Sequence, residues 1–182
     1  MDPSPATRSS SELAPPASEG LLQDAFLQYQ DELFGTLYYL VGNKEDARDA
    51  LQESFMKCWR HREEVSAVQN LKAWIFRIAL NTGRDVRSTA WRRHRRPLGE
   101  GEANLVSPEE QSQTDFHHRE QVALVRQALV QLRQEEQEVF LLRQNGQMTY
   151  EQIADATQLP VGTVKTRMRL ALRKLREALH TP

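Results

Sequence analysis

The sequence predicts an all-α chain of two small helical domains joined by a flexible linker, the C-terminal one carrying a helix-turn-helix. Three observations predict it. Apolar residues recur at three- and four-residue spacing in both halves, and the N-terminal half shows no alternating strand-and-helix pattern. An acidic, breaker-rich stretch, Pro97 to Ser112 (PLGEGEANLVSPEEQS), separates those halves as a linker would. Between Thr149 and Arg176 two helical patterns meet across a turn, and the second is studded with cations. The expected divisions are a disordered tail at 1–19, a helical domain at 20–96, a linker at 97–113 and the helix-turn-helix domain at 114–182.

Taken in order, Met1 to Glu19 is rich in Pro, Ser and Ala and offers almost nothing to bury, hence the tail. From about Leu21 one helix is expected. Phe26, Tyr29, Leu33, Phe34, Leu37, Tyr38 and Val41 mark its inner face, and Gly42 can end it in a left-handed cap. Asn43 can cap the next helix, where Ala47, Ala50, Leu51, Ser54, Phe55, Cys58 and Trp59 form a core stripe. The opposite face shows Asp46, Asp49, Gln52 and Glu53, which reads either as an ordinary solvated face or as a docking surface for a basic partner.

After a connecting stretch from His61 to Gln69, Asn70 can cap a third helix with Leu71, Trp74, Ile75, Ile78 and Ala79 turned inward. Gly83 weakens helices, so a break or kink is expected near it. Past it come Arg84, Arg87, Arg92, Arg93, Arg95 and Arg96 against Asp85 alone, with Trp91 among them. Guanidinium groups for phosphates beside a ring that can stack on bases suit single-stranded nucleic acid; a core Trp beside a solvated cluster is the other reading. Beyond the linker, Val122, Val125, Ala128, Leu129 and Leu132 form one face and Val139, Phe140 and Leu142 another, with Gly146 closing that helix.

The C-terminal element starts at Thr149, which forms a capping box with Gln152. Ile153, Ala154 and Thr157 give this short helix a small apolar face, and Gln158, Leu159 and Pro160 break it. The next helix runs toward Leu179 with Val164, Met168, Ala171, Leu172 and Leu175 facing a core. From Thr163 onward six cations stand against the single acid Glu177, whereas a merely solvated face mixes signs. In a helix-turn-helix the N-terminal part of the second helix enters the DNA major groove.

Composition bounds the rest. At 182 residues the formal charge of -1 conceals segregation: residues 1–56 hold ten acids against Arg8, Lys44 and Arg48. Cys58 is the only cysteine, so no internal disulfide or multi-cysteine zinc site is available, and a reducing cytoplasm is the expected setting. No apolar run is long enough to span a bilayer. His61, His94, His117, His118 and His180 lack the spaced Cys or acid that would complete a metal site, and no catalytic set stands out, so neither cofactor nor enzymatic activity is expected.

DARDALQESFMKCW (Asp46 to Trp59), NLKAWIFRIALNTGRDV (Asn70 to Val86) and Leu132 to Arg176 together resemble an extracytoplasmic-function (ECF) sigma factor, the minimal two-domain class of the sigma-70 family. That resemblance implies a factor that binds core RNA polymerase and promoter DNA, with an anti-sigma protein as a further partner able to hold it at a membrane. It places Asp46, Asp49, Gln52 and Glu53 on the clamp helices of the polymerase's largest subunit. Asn81, Thr82 and Arg84 would hold a flipped-out minus-ten base, and Arg87, Trp91, Arg92, Arg93, Arg95 and Arg96 would serve the same strand. Thr163, Lys165, Thr166, Arg167, Arg169 and Arg173 would read the minus-thirty-five element. A stand-alone regulator binding duplex operators is the principal alternative, and a helical adaptor without a DNA role is the other.

Overall fold

The structure, a computed structural model, describes residues 17–94, 124–125 and 127–180. In chain order the helices are α1 (Ala17–Gln28), α2 (Gln30–Val41), α3 (Lys44–Arg60), a 3-10 helix (Arg62–Ala67) and α4 (Leu71–His94). A helical segment at 127–130 (α5) precedes α6 (Gln134–Gln144), α7 (Tyr150–Thr157) and α8 (Val161–His180). All regular structure among the described residues is helical.

The N-terminal half is a bundle in which α2, α3 and α4 pack on one another while α1 leans on α3 and the 3-10 helix. Where one helix was expected from Leu21 to Val41, Tyr29 divides it. The backbone there turns (φ -101°, ψ 7°), yet Tyr29 N–H still donates to Ala25 and its carbonyl still accepts from Leu33. The chain changes direction so that Leu22, Ala25 and Phe26 can be buried against a different neighbour from Leu33, Leu37 and Leu40. Burying each large aliphatic side chain contributes about 1.5–3 kcal/mol. Helix also begins earlier than the tail boundary at Glu19 allowed, and the Glu19 carboxylate lies 2.8 Å from Arg62 Nε. Gly42 ends α2 in the left-handed region (φ 95°), and Asn43 Oδ1 accepts from Asp46 N–H at 2.8 Å to start α3.

On α3 the stripe is inside: Ala47, Ala50, Ser54 and Cys58 are buried, with Leu51, Phe55 and Trp59 packed against them. Burial pushes the Cys58 thiol up to about 12, so it is an inert part of the core. Asn70 caps α4 through Oδ1, which accepts from Ala73 N–H at 3.1 Å. The break expected at Gly83 is absent, for α4 runs through it unbroken. A Cβ at Gly83 would stand 2.7 Å from Leu40 Cδ2 and 3.0 Å from Leu37 Cδ2, so the glycine allows α4 to approach α2 closely. The inward set of α4 is also wider than periodicity gave, with Phe76 and Leu80 fully buried.

In the C-terminal half α6 and α7 pack on α8. Ala128, Leu129 and Leu132 are buried as expected while Val125 is exposed, and Val122 lies outside the described residues. Glu136 is buried beneath Lys174 of α8, 2.6 Å away. Burial alone would raise the Glu136 carboxyl, but hydrogen bonds from Lys174 and the Arg133 backbone outweigh it and leave the group below its ordinary value.

The two halves also pack on each other, α2 against α6 and α4 against α7. A Cβ on Gly35 would sit 3.8 Å from Asn145 Cβ, and one on Gly146 would sit 3.1 Å from the Phe76 ring.

Candidate nucleic-acid interface

The helix-turn-helix is built by local chemistry. Thr149 Oγ1 accepts from Gln152 N–H at 3.2 Å while Gln152 Oε1 accepts from Thr149 N–H at 2.9 Å, so the capping box forms in full. Gln158 ends α7 in the left-handed conformation (φ 56°), and the Pro160 carbonyl accepts from Thr163 and Val164 to open α8. Ile153, Ala154, Val164, Met168 and Ala171 lock the two helices together in the core. Leu172, expected inside, is 42% exposed.

What remains outward at the start of α8 is Lys165, Thr166 and Arg169, all exposed, with Thr163 and Arg167 half-buried beside them. Thr166 Oγ1 donates back to the Gly162 carbonyl at 2.9 Å, leaving the oxygen's lone pairs available. An open groove of about 410 Å³ runs along this helix between Tyr150, Lys165, Met168, Arg169, Leu172, Arg173 and Arg176. Lys165 Nζ and Arg143 Cζ stand 5.9 and 5.4 Å from the Tyr150 ring centre, so the sequence-distant Tyr150 and Arg143 belong to this cationic surface. Exposed Arg173 lies 3.9 Å from Glu177, a pairing that solvent weakens. Cations on an exposed helix beside a tight turn can enter a groove and meet phosphates and base edges.

The second expected cluster, on α4, is arranged differently. Arg84 donates from Nε and Nη2 to the two carboxylate oxygens of Glu138 on α6, at 2.7 and 2.5 Å. That hydrogen-bonded carboxylate is the main reason the guanidinium is held above its ordinary value, against the opposing effect of burial. Glu138 is 2% exposed and also accepts from Gln134 Nε2. Arg87 Nη1 donates to Gln137 Oε1 at 3.1 Å, and Gln137 Nε2 donates in turn to the Tyr39 carbonyl. Asn81 is exposed and its Oδ1 accepts from Arg84 Nη1. Thr82 is not on this surface: at 1% exposed it donates to the Ile78 carbonyl and accepts from Lys57 Nζ. A threonine in a helix interior commonly bonds back to the carbonyl four residues earlier, which is why its type alone misled. Lys57, absent from the sequence-derived set, sits between Thr82 and Asp85, 3.7 Å from the latter. Trp91, Arg92 and Arg93 fall on the last turn of α4, where only the backbone is described, and Arg95 and Arg96 lie outside the described residues.

The acidic face of α3 is open. Asp49, Gln52 and Glu53 are exposed, with Arg60 3.9 Å from Glu53, while Asp46 is half-buried and takes a hydrogen bond from Asn43 Nδ2. Among the described residues no cluster of His, Cys, Asp and Glu could hold a metal ion, and no helix is long and apolar enough to cross a membrane.

Residues 18–96 match the family described as Sigma-70 region 2, and residues 123–175 match Sigma-70, region 4. RNA polymerase sigma-H factor of Pseudomonas aeruginosa is 30% identical over 167 residues, covering 84% of this chain and 83% of that protein. ECF RNA polymerase sigma factor SigL of Mycobacterium tuberculosis is 28% identical, covering 90% and 91%. Among solved structures, the sigma factor RpoE in complex with the anti-sigma factor NepR from Bartonella quintana shares the fold with a TM-score of 0.67 at 23% identity, over 86% of this chain and 95% of that one. CnrH in complex with the cytosolic domain of CnrY matches with a TM-score of 0.63 at 22% identity, over 88% of each chain.

Proposed function

The chain belongs to the ECF class of the sigma-70 family and is an RNA polymerase sigma factor, and from that premise we propose how its surfaces divide the work. Asp49, Gln52 and Glu53, with Asp46 at their edge, dock on core polymerase. Lys165, Thr166 and Arg169 read the minus-thirty-five duplex, with Thr163, Arg167 and Arg173 beside them. Asn81, Arg84 and Arg87, continuing into Trp91 to Arg96, hold the unpaired minus-ten strand. Thr82 serves that site from the core, by fixing Lys57. An amide such as Asn81 donates and accepts at once, which suits a base taken out of its stack, and strand opening by capture requires no nucleotide hydrolysis by this chain.

The observation that carries this reading is the exposed cationic start of α8 beside its tight turn, with an acidic face of α3 left outward in the other half. The reading places the protein in the cytoplasm with core polymerase and promoter DNA as partners. An anti-sigma factor joins them, as the similar structures with NepR and CnrY suggest.

Run-off transcription with core polymerase on a promoter library tests the whole. The purified chain should direct initiation on a subset of templates, and silence on every template would overturn the proposal. Asp49→Lys should weaken capture of core polymerase by roughly tenfold while the circular dichroism spectrum stays unchanged; undiminished capture would remove the α3 face from the account.

A further inference from the structure

The outward, acidic face of α3 has an apolar side chain at its middle. Met56 lies seven residues beyond Asp49, four beyond Gln52, three beyond Glu53 and four short of Arg60, spacings that fall on one side of a helix. It is 43% exposed and takes no part in the core, which α3 fills from its other face. Arg60 lies 3.9 Å from Glu53, so charged groups stand on both sides of the thioether along the helix axis. An apolar group framed by polar ones is the arrangement of a protein interface, whose centre loses its water while the rim keeps it, and methionine is enriched there.

The same exposure singles this sulfur out chemically. Of the other methionines, Met148 is 0% and Met168 2% exposed, and Met1 lies outside the described residues. The one thiol, Cys58, is buried and pushed up to about 12 by that burial, which leaves almost no thiolate for an oxidant to meet. We propose that Met56 is the apolar centre of the polymerase-docking face, and that oxidation of its thioether by hydrogen peroxide weakens the hold of the chain on core polymerase. This rests on the docking function proposed above. The sulfur lone pair takes one oxygen of the peroxide as the O–O bond breaks, and both peroxide protons leave with the other oxygen as water. The thioether is thereby oxidised to a sulfoxide and the peroxide reduced. The new S–O dipole is costly to bury without a donor, so a centre that shed its water readily on docking no longer does so. Methionine sulfoxide reductases undo the step, which makes the change reversible.

The test treats the full chain with hydrogen peroxide, quenches with catalase and only then adds core polymerase, so that the polymerase never meets the oxidant. Peptide mass mapping should find Met56 oxidised roughly tenfold faster than Met148 or Met168, in keeping with their burial. Equal rates would overturn the selective site, with no polymerase in the assay. Capture of core polymerase by the chain oxidised at Met56 should fall roughly tenfold while its circular dichroism spectrum stays unchanged, and methionine sulfoxide reductases with dithiothreitol should restore it. Undiminished capture by the oxidised chain would overturn the proposal while leaving the sigma-factor reading intact.

Met56→Leu, apolar but without the sulfur, should give the same capture before and after peroxide, whatever its starting affinity. If this variant still lost capture on treatment, the sensitive group would lie elsewhere and the switch would be overturned. Met56→Gln, which puts a polar group of similar length at the same place, should capture core polymerase roughly tenfold more weakly than Met56→Leu without any oxidant. Equal capture by the two variants would overturn the apolar centre. An untreated wild-type chain that captures no core polymerase would remove the docking function and the switch upon it together, an outcome distinct from capture that peroxide leaves unchanged.

Discussion

Two helices of this molecule carry clusters of cations, and the structure treats them oppositely. On α8, Lys165 and Arg169 stand in solvent along an open groove. On α4, Arg84 and Arg87 are spent on a carboxylate and an amide from the other half. Both clusters read alike along the chain, as runs of basic residues on an amphipathic helix. The difference teaches that availability is a property of tertiary partners: a guanidinium is ready for nucleic acid only where the fold has left it without a better acceptor.

The largest expected effect comes from undermining the α4 side. Phe76 is fully buried and its ring lies under Gly146 of the other half, so Phe76→Ala should cost about 3–5 kcal/mol in urea unfolding. The same change should loosen the contact that occupies Arg84, making α4 resemble α8 in its exposure to single strands. A loss below about 1 kcal/mol would mean that Phe76 is not the keystone its burial indicates.

A smaller effect sharpens the α8 side. Lys165→Ala or Arg169→Ala should each cost the holoenzyme about 1–3 kcal/mol of affinity for promoter duplex if a base contact is lost, with no change in stability because both side chains are exposed. Unaltered promoter affinity would assign these residues to solvent. The smallest effect concerns Glu136, which ties α6 to α8 through Lys174. Against the opposing effect of burial, its carboxyl is held below the ordinary glutamate range, chiefly by Lys174 and the Arg133 backbone. The stability it contributes is thus complete above the ordinary value and is lost as pH falls through the folded one. Glu136→Gln should therefore flatten the acid limb of the pH–stability curve, and an acid limb identical to that of the wild type would assign the loss to other carboxylates.

Much of the fold was legible because it is written locally. The Asn43 cap, the left-handed Gly42, the α3 stripe and the Thr149–Gln152 box each depend on residues within one or two turns, and the helix-turn-helix follows from the last of them. The misreadings share a different origin. Gly83 reads along the chain as a helix breaker, because its packing against Leu37 and Leu40 involves a helix about forty residues away. Tyr29 divides two helices without any Gly or Pro to announce it. Phe76 and Leu80 escaped the periodic pattern because α4 is covered on more than one side, by its own bundle and by the other half.

The exposure of the candidate residues was legible only in part. Exposed Asp49, Gln52, Glu53, Lys165 and Arg169 lie where amphipathic spacing put them, whereas buried Thr82 and the Arg84–Glu138 pair, fifty-four positions apart, left no periodic trace.

The uninterrupted course of α4 has a mechanical corollary. Twenty-four residues at 1.5 Å each make a rod of about 36 Å. Its first turns lie in the N-terminal core and against the opposing half, its middle meets Glu138 and Gln137 of α6, and its far end bears the arginines beyond Ala90. A stiff beam of that kind cannot bend at one station while staying still at another. On the function proposed above, a strand held at the tip would therefore pull on Arg84 through the same rod.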